Sequence, residues 1–311
     1  MWALRLKKEP VDNDETGEQD YRPLIPESVS THIIPGTGIE IVHDLGRLEP
    51  PQHVLFDFDG TVSLIREGWQ NVMVPMMVEE ILLTAKTQET EEALTRSVRE
   101  YVDHLTGKQT IYQMIHLAEE IQKRGGKPQD PLVYKHRYLK RLMQRIAERR
   151  EGLRSGRIEP TEMLVPSAIE MLEGLKERGV QLYLASGTDE KYVLEEARLL
   201  RVDRYFGSHI YGAQDAYRTF SKKLVIERIL KINKVDGTRL LGFGDGYVEI
   251  ENVKSVGGLA VAVASDEARR SGAPDEWKRQ RLIGIGADIV IPDFRDHDVL
   301  LPYIWNDREV R

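Results

Sequence analysis

Two aspartates separated by one residue are the first candidates for chemistry in the chain. They lie in Asp-Phe-Asp-Gly-Thr at positions 57–61, directly after a short apolar run that is typical of a buried parallel strand. Two such carboxylates on a straight strand point to opposite faces, but at a strand end that curls into a turn both can reach one cavity. There they repel each other, and a bound cation is the simplest way to offset that cost. The pattern favours a site built on Asp57 and Asp59, with a solvated Asp-x-Asp-Gly turn as the alternative.

A hydroxyl and a glycine follow the next apolar run. Ser186 and Gly187 come after the run at 180–185 and lead into a helix. The free N–H groups of a helix start, together with the hydroxyl, can bind an anion such as a phosphoryl group. Alternatively, Thr188 or Asp189 simply caps that helix.

A lysine pair and an acidic pair complete the set. Ser221 is predicted to cap a helix, so a neighbouring lysine, Lys222 or Lys223, is expected to face something anionic. Asp245 and Glu249 follow another apolar run and lie four residues apart, which stacks them on one helix face. Because like charges there destabilise a helix, a metal ion is the economical explanation.

The elements that position these groups alternate between strand and helix. Apolar runs separated by amphipathic helices predict an α/β fold, a Rossmann-like parallel sheet covered on both faces. The candidate groups then meet at the carboxyl ends of the strands, where such sheets bind ligands. Strands are predicted at 54–56, 180–185, 208–211, 239–243, 259–264 and 288–291.

A long helical stretch interrupts this alternation. Positions 69–157 carry helical periodicity with breaks near 86–90, 106–107 and 125–131, which predicts a four-helix insert. We therefore expect a core at 51–65 and 160–311 and an α-helical cap domain at 66–159. Residues 1–50 are predicted to be an extended or partly disordered lead-in with one short strand at 38–43.

Composition limits the function classes. Of 311 residues, 41% are hydrophobic, but no apolar run approaches the ~18 residues of a membrane span. The chain has no cysteine, which excludes disulfides and a thiol nucleophile. The net charge of −7 gives no indication of nucleic-acid binding. We expect a cytoplasmic protein, and the composition leaves the oligomeric state open.

Taken together, the segments resemble the haloacid dehalogenase superfamily. Segment 57–61 matches the first motif of that superfamily, Ser186 the second, and Asp245 with Glu249 the fourth. Lys222 is the preferred match to the third motif, because it lies four residues before an apolar helix residue; Lys223 stays possible. Segments 165–172 and 286–294 resemble the phosphoglycolate phosphatase and β-phosphoglucomutase branch, in which a helical cap separates the first two motifs.

The resemblance implies a magnesium-dependent phosphatase acting on a small phosphate monoester, such as a sugar phosphate. Asp57 would form an aspartyl-phosphate, and Asp59 would serve as general acid and then base. Superfamily ATPases carry Thr at the position of Asp59, and dehalogenases lack the acid. The implied phosphate-binding groups are Ser186, Gly187 and Lys222, and the implied Mg²⁺ ligands are Asp57, the carbonyl of Asp59, and Asp245, with Glu249 as a ligand or close by.

The residues that contact the leaving group and two alternative functions stay open. The resemblance places cap residues near the leaving group, and the candidates are Arg66, Glu67, Trp69 and Gln70. Trp69 stands where mutase-like members have a histidine, which disfavours a phosphomutase, the first alternative. The second alternative is a non-catalytic binding protein. Nine Lys or Arg in 135–157 are expected to be a solvated face or a surface that steers anions.

Overall fold

The structure, a computed structural model, describes residues 21–24, 29–46, 49–217 and 220–307. Much of the predicted lead-in, at 1–20, 25–28 and 47–48, lies outside the described residues. The described strands are β1 (His32–Ile33), β2 (Glu40–Ile41), β3 (His53–Phe56), β4 (Gln181–Asp189), β5 (Ile210–Ala213), β6 (Leu240–Gly244), β7 (Leu259–Val263) and β8 (Ile289–Ile291).

The helices lie between these strands. They are α1 (Gln70–Thr84), α2 (Glu91–His104), α3 (Thr110–Lys123), α4 (Pro131–Arg145), α5 (Ala147–Ser155), α6 (Ala168–Glu177), α7 (Glu190–Leu199), α8 (Asp203–Phe206), α9 (Lys222–Asn233), α10 (Tyr247–Ser255), α11 (Glu276–Gly284) and α12 (His297–Trp305). Within the described ranges, every helix falls short of the length and hydropathy that a bilayer crossing requires.

The strands form one eight-stranded sheet in the order β1-β2-β8-β7-β6-β3-β4-β5. The six strands from β8 to β5 pair in parallel, which confirms the predicted α/β core. The predicted strand at 38–43 is present as β2, but it pairs antiparallel with β8 and with the unpredicted β1. An antiparallel neighbour needs no crossover helix, and the described segment before β3 contains none.

Both faces of the sheet are buried. Side chains alternate along β3, so Val54 and Phe56 enter one apolar cluster while Leu55 enters the other. Phe56 stacks on Phe243 of the neighbouring β6 with ring centroids 4.8 Å apart. The carboxyl end of β3 is therefore anchored rigidly where the first candidate aspartate begins.

The helical insert, α1–α5, lies between β3 and β4 and has five helices rather than the predicted four. The last predicted helix breaks at Ile146, where φ is −96° and ψ is 5°, outside the helical region. Ile146 is itself fully buried, so the apolar spacing continues through the break and hides it.

Most of the basic residues at 135–157 form ion pairs. Lys135 is buried, and its Nζ lies 2.6 Å from Asp189 Oδ1 and 3.2 Å from Asp215 Oδ1. Of the nine basic residues, only Lys135 is buried, so the rest of this segment agrees with the predicted solvated face, and the ion pairs neutralise part of its positive charge. The other pairs are Arg137–Glu80, Arg141–Glu79, Arg149–Glu67, Arg150–Glu195, Arg154–Glu195 and Arg154–Glu151.

Candidate active site

The candidate groups meet at one edge of the sheet. β3 lies between β4 and β6, and all three run parallel, so their carboxyl ends share that edge. A cavity of about 100 Å³, the site cavity, opens there. Its lining includes residues of all four candidate segments, namely Asp57, Asp59, Ser186, Gly187, Lys222 and Asp245.

A tight turn carries the two aspartates into the site cavity. The carbonyl of Phe58 accepts hydrogen bonds from the N–H groups of Val62 and Ser63, both at 2.8 Å. Gly60 has a φ of 75°, in the left-handed region that favours glycine, and its carbonyl accepts a 2.6 Å bond from Ser265. The turn lets Asp57 and Asp59 face one cavity, as the sequence predicts.

Gly60→Ala tests this turn, because a Cβ there would also overlap the carboxylate of Asp245. We expect it to lower the free energy of unfolding by about 2–5 kcal/mol. Gly36→Ala is the matched control, since Gly36 has a φ of 80° but nothing within 4 Å of an added Cβ. It should cost only about 1–2 kcal/mol. Urea unfolding measures both, and equal losses would contradict the close approach.

Asp57 is buried and paired with a lysine. Its Oδ1 lies 2.9 Å from Nζ of Lys222, the first residue of α9, which Ser221 caps as predicted. Burial raises the pKa of Asp57 to about 6; Lys222 opposes the rise and the charges of Asp245 and Asp59 add to it. Of the two lysines, the structure brings Lys222 to this carboxylate.

The two carboxylate oxygens of Asp59 differ in their hydrogen bonding. Its Oδ2 accepts hydrogen bonds from Thr188 Oγ1 at 2.8 Å and from Ser186 Oγ at 3.4 Å. Its Oδ1 is buried and accepts no hydrogen bond within the described part of the chain, although Arg66 Nε lies 3.7 Å away. Burial raises the pKa of Asp59, with Arg66 opposing. Such a carboxyl group suits proton transfer to a bound group.

Ser186 lies near the carboxyl end of β4, where the pairing with β5 becomes irregular between Ser186 and Asp189. Ser186 Oγ accepts the N–H of Thr188 at 3.0 Å, and Gly187 has backbone atoms of the helical insert against it, with Lys108 O 3.2 Å from a hypothetical Cβ. Asp189 precedes α7 but makes no side-chain cap, because its carboxylate binds Lys135. The predicted capping alternative is therefore wrong for Asp189, and Thr188 instead bonds Asp59.

Asp245 has a cationic partner that sequence reasoning missed. Nζ of Lys278, on α11, lies 2.8 Å from Asp245 Oδ2 and 2.7 Å from Glu267 Oε1, and donates to Ser265 Oγ at 3.1 Å. The other carboxylate oxygen of Asp245 accepts from Thr61 at 3.3 Å. No sequence signal connects Lys278 to Asp245, because the two are 33 residues apart on different helices and loops.

The excess of negative charge at the site is compatible with a bound cation. Among the described residues, six carboxylates lie at the site with four cations: Asp57, Asp59, Asp245, Glu249, Glu267 and Glu196 with Arg66, Lys108, Lys222 and Lys278. Within the same ranges no group of three or more acidic or histidine side chains lies close enough together to hold a metal ion by side chains alone. The expected set uses only two, Asp57 and Asp245, with the carbonyl of Asp59, and these residues fit Mg²⁺. Glu249 contacts Lys222.

The cap-side candidates divide into two groups. Arg66 and Trp69 line the site cavity, and Trp69 also packs against the main apolar cluster. Gln70 does not: it lines a separate groove between α1 and α2, because successive helical residues point about 100° apart. Glu67 pairs with Arg149 instead. The structure therefore does not bring Gln70 or Glu67 into the lining of the site cavity.

The sequence also did not predict that the turn between α2 and α3 lies at the site. Thr106, Gly107 and Lys108 line the site cavity, and the sequence showed this stretch only as a helix break. A Cβ on Gly246 would lie 2.9 Å from the Cα of Gly107, so the insert presses directly on the loop after β6. Gln109 Nε2 donates to Phe220 O at 2.7 Å, which fastens the turn to the core.

A parallel sheet with acidic strand ends and a helical insert after its first parallel strand is the architecture of haloacid dehalogenase-like proteins. A family model of haloacid dehalogenase-like hydrolases matches residues 51–257, and the chain belongs to that family. A comparison with curated proteins gives no match.

Solved structures share the fold at low sequence identity. A conserved haloacid dehalogenase-like protein of unknown function from Agrobacterium tumefaciens superposes with a TM-score of 0.54 at 15% identity, covering 81% of this chain and 97% of its own. A predicted phosphoglycolate phosphatase from Haemophilus somnus gives 0.51 at 17%, covering 80% and 96%. β-Phosphoglucomutase from Clostridium difficile gives 0.56 at 12%, covering 84% and 100%. At these identities the superpositions show a shared fold.

Proposed function

We propose that the protein is a magnesium-dependent phosphatase that hydrolyses a small phosphate monoester, a sugar phosphate or related metabolite, through an aspartyl-phosphate. The observation that carries the proposal is the pairing of two carboxylates in one cavity. Asp57 is held 2.9 Å from Lys222, while Asp59 keeps a buried oxygen without a hydrogen bond from the described residues. The membership in a hydrolase family supports it.

In the first step a carboxylate oxygen of Asp57 attacks phosphorus and the bond to the leaving oxygen breaks. Asp59 gives that oxygen a proton, and burial raises the pKa of Asp59 above that of an exposed aspartate, which favours its protonated form. In the second step the deprotonated Asp59 takes a proton from water, and the water oxygen displaces Asp57 from phosphorus. Atoms and charge balance, since Asp59 ends protonated as it began.

The remaining groups bind the phosphoryl oxygens. The hydroxyl of Ser186, the N–H of Gly187 and the ammonium of Lys222 are the proposed donors, and they stabilise charge as it develops. Glu249 contacts Lys222 and helps to hold it. Asp57, Asp245 and the carbonyl of Asp59 would hold Mg²⁺, which supplies positive charge to the phosphoryl oxygens.

The helical insert has the proposed role of a cap. We propose 66–159 as the cap and 51–65 with 160–311 as the core, since the α2–α3 turn lies on the site cavity. A closed cap excludes water until the leaving group has departed. The cytoplasmic location stays a prediction.

Metal removal tests the proposal directly. We expect release of inorganic phosphate from a panel of small phosphate monoesters with Mg²⁺, and its loss in EDTA, restored by excess Mg²⁺. Transfer within a sugar phosphate, with a bisphosphate activator and little free phosphate, would instead indicate a phosphomutase. Absence of both activities would leave only a binding role and refute the proposal.

A further inference from the structure

A buried lysine lies beside Asp245 but outside the lining of the site cavity. Lys278 is 9% exposed and contacts Asp245 from α11. An ammonium group has three N–H donors, and Lys278 has an acceptor for each of them. Its Nζ lies 2.8 Å from Asp245 Oδ2, 2.7 Å from Glu267 Oε1 and 3.1 Å from Ser265 Oγ. Lys278 therefore acts on the cavity only through the residues that it holds.

One of these contacts continues to the turn that carries the two catalytic candidates. Ser265, which is 4% exposed, donates from Oγ to the carbonyl of Gly60 at 2.6 Å. Gly60 directly follows Asp59 in that turn. The same ammonium thus contacts Asp245 directly and the aspartate turn through one hydroxyl. These are the two segments that supply the proposed Mg²⁺ ligands.

Asp245 is restrained at both of its carboxylate oxygens. Oδ2 accepts from Lys278 at 2.8 Å, and Oδ1 accepts from Thr61 at 3.3 Å. The aspartate turn also packs against this cluster, because a Cβ added to Gly60 would overlap Asp245 Oδ2 and lie 3.0 Å from Glu267 Oε1. A carboxylate that is oriented before a metal ion binds loses less conformational entropy on binding.

The start of α11 fixes the backbone of Lys278. Asp275 caps this helix, and its Oδ1 accepts the N–H of Lys278 at 3.0 Å. The N–H of Asp275 donates to the carbonyl of Ala264, directly after β7, at 2.7 Å. A cation in the first turn of a helix opposes the helix dipole, and its burial costs desolvation. Helix stability therefore does not account for a lysine at this position, whereas the carboxylates that it holds do.

We propose that Lys278 is a positioning residue for the metal site: its ammonium aligns Asp245 with the aspartate turn, so that the proposed Mg²⁺ ligands are in place before the ion binds. This role rests on the proposed Mg²⁺-dependent function. The charge of Lys278 alone would act in the opposite direction, because a cation beside a metal ligand repels Mg²⁺. The sign of the change in Mg²⁺ affinity on replacing Lys278 therefore distinguishes alignment from charge.

Lys278→Met tests the proposal, because methionine keeps an unbranched side chain but has neither the charge nor the donors. The Mg²⁺ dissociation constant follows from the thermal unfolding temperature of the full-length protein at increasing Mg²⁺, since an ion that binds the folded state raises that temperature. We expect the constant to rise at least about tenfold in the variant. An unchanged or lower constant would overturn the proposal.

Lys254→Met is the matched control. Nζ of Lys254 donates to both carboxylate oxygens of the buried Asp288, at 2.7 and 3.0 Å. Asp288 directly precedes β8, so this pair lies at the amino ends of the parallel strands, opposite the site. Both variants should lose stability, but Lys254→Met should keep the wild-type Mg²⁺ constant. An equal rise in both variants would refute a specific role of Lys278.

Activity gives a second readout. Because Lys278 acts through Asp245, the Mg²⁺ concentration for half-maximal phosphate release should rise together with the dissociation constant. At saturating Mg²⁺, kcat of Lys278→Met should stay within about threefold of wild type. A kcat that stayed more than about tenfold lower at saturating Mg²⁺ would contradict a role confined to metal binding.

Ser265→Ala decides the question should Lys278→Met not fold. It cuts the link to the Gly60 carbonyl and leaves the ammonium on Asp245, so the Mg²⁺ constant should rise at least about threefold. An unchanged constant would refute the alignment of the two segments. A wild type whose unfolding does not respond to Mg²⁺ would overturn the proposed metal together with this inference. A wild-type response that Lys278→Met shares in full would overturn the inference alone.

Discussion

Asp57→Asn should lower phosphate release by more than about 10³-fold, because an amide cannot act as the nucleophile that forms the acyl phosphate. The substitution keeps the size of the side chain in a position that is 6% exposed. A loss of activity in this variant can therefore be attributed to the lost charge and nucleophilicity of residue 57 and not to altered packing. Steady-state assays of phosphate release measure the loss, and a variant that kept a tenth of wild-type activity would refute the assignment of Asp57.

The same substitution should raise the thermal unfolding temperature. Burial and the neighbouring charges raise the pKa of Asp57 to about 6, so its ionised form is less stable in the folded protein than in the unfolded chain. A neutral Asn removes that penalty, and Lys222 keeps Glu249 as a partner. Asp298→Asn, at an exposed position in the first turn of α12, is the control; it should leave activity unchanged and lower stability slightly, by less than about 1 kcal/mol. Lower stability in Asp57→Asn would contradict this electrostatic account.

Glu196→Ala should lower the free energy of unfolding by about 3–5 kcal/mol, since it leaves a buried guanidinium without its partner. Arg66 comes from the segment before α1, and Glu196 lies on α7. Their side chains are 5% and 0% exposed, and the two 2.9 Å bonds between them join positions 130 residues apart. Denaturant unfolding at neutral pH measures the loss.

The adjacent glutamate provides the matched control. Glu195 pairs with Arg150 and Arg154, but its side chain is 42% exposed, so Glu195→Ala should cost no more than about 1 kcal/mol. The double variant Arg66→Met with Glu196→Leu should recover much of the stability, because it removes both buried charges. A Glu196→Ala variant as stable as Glu195→Ala would show that the pair contributes little.

The positions of the candidate groups along the chain follow from local rules. An apolar run predicts a buried strand, and parallel strands bring their carboxyl ends to one edge of the sheet. Asp57, Ser186 and Asp245 each follow such a run, so the order of residues alone is enough to expect them in one site, and all three line the site cavity. Their catalytic roles stay predictions, which Asp57→Asn tests for the nucleophile.

Side-chain partners could not be predicted in this way. Lys278 meets Asp245 and Arg66 meets Glu196 because the fold brings separate elements together, and spacing along the chain contains no information about such pairs. Gln70 lines a different groove from Trp69 for a related reason, since one residue along a helix turns a side chain to a different surface.

The sequence by itself thus determined the order along the chain of the parallel strands and of the motifs that follow them. It also identified the two aspartates, Asp57 and Asp59, on which the proposed function depends. Only the tertiary structure decided that Asp59 Oδ1 accepts no hydrogen bond from the described residues, that Lys222 rather than Lys223 reaches Asp57, and that Lys278 meets Asp245. The physical reason is how far apart along the chain the interacting residues lie. Strand and turn formation depend on neighbours along the chain, whereas the shape and charge of a cavity depend on side chains that meet only after the elements have packed.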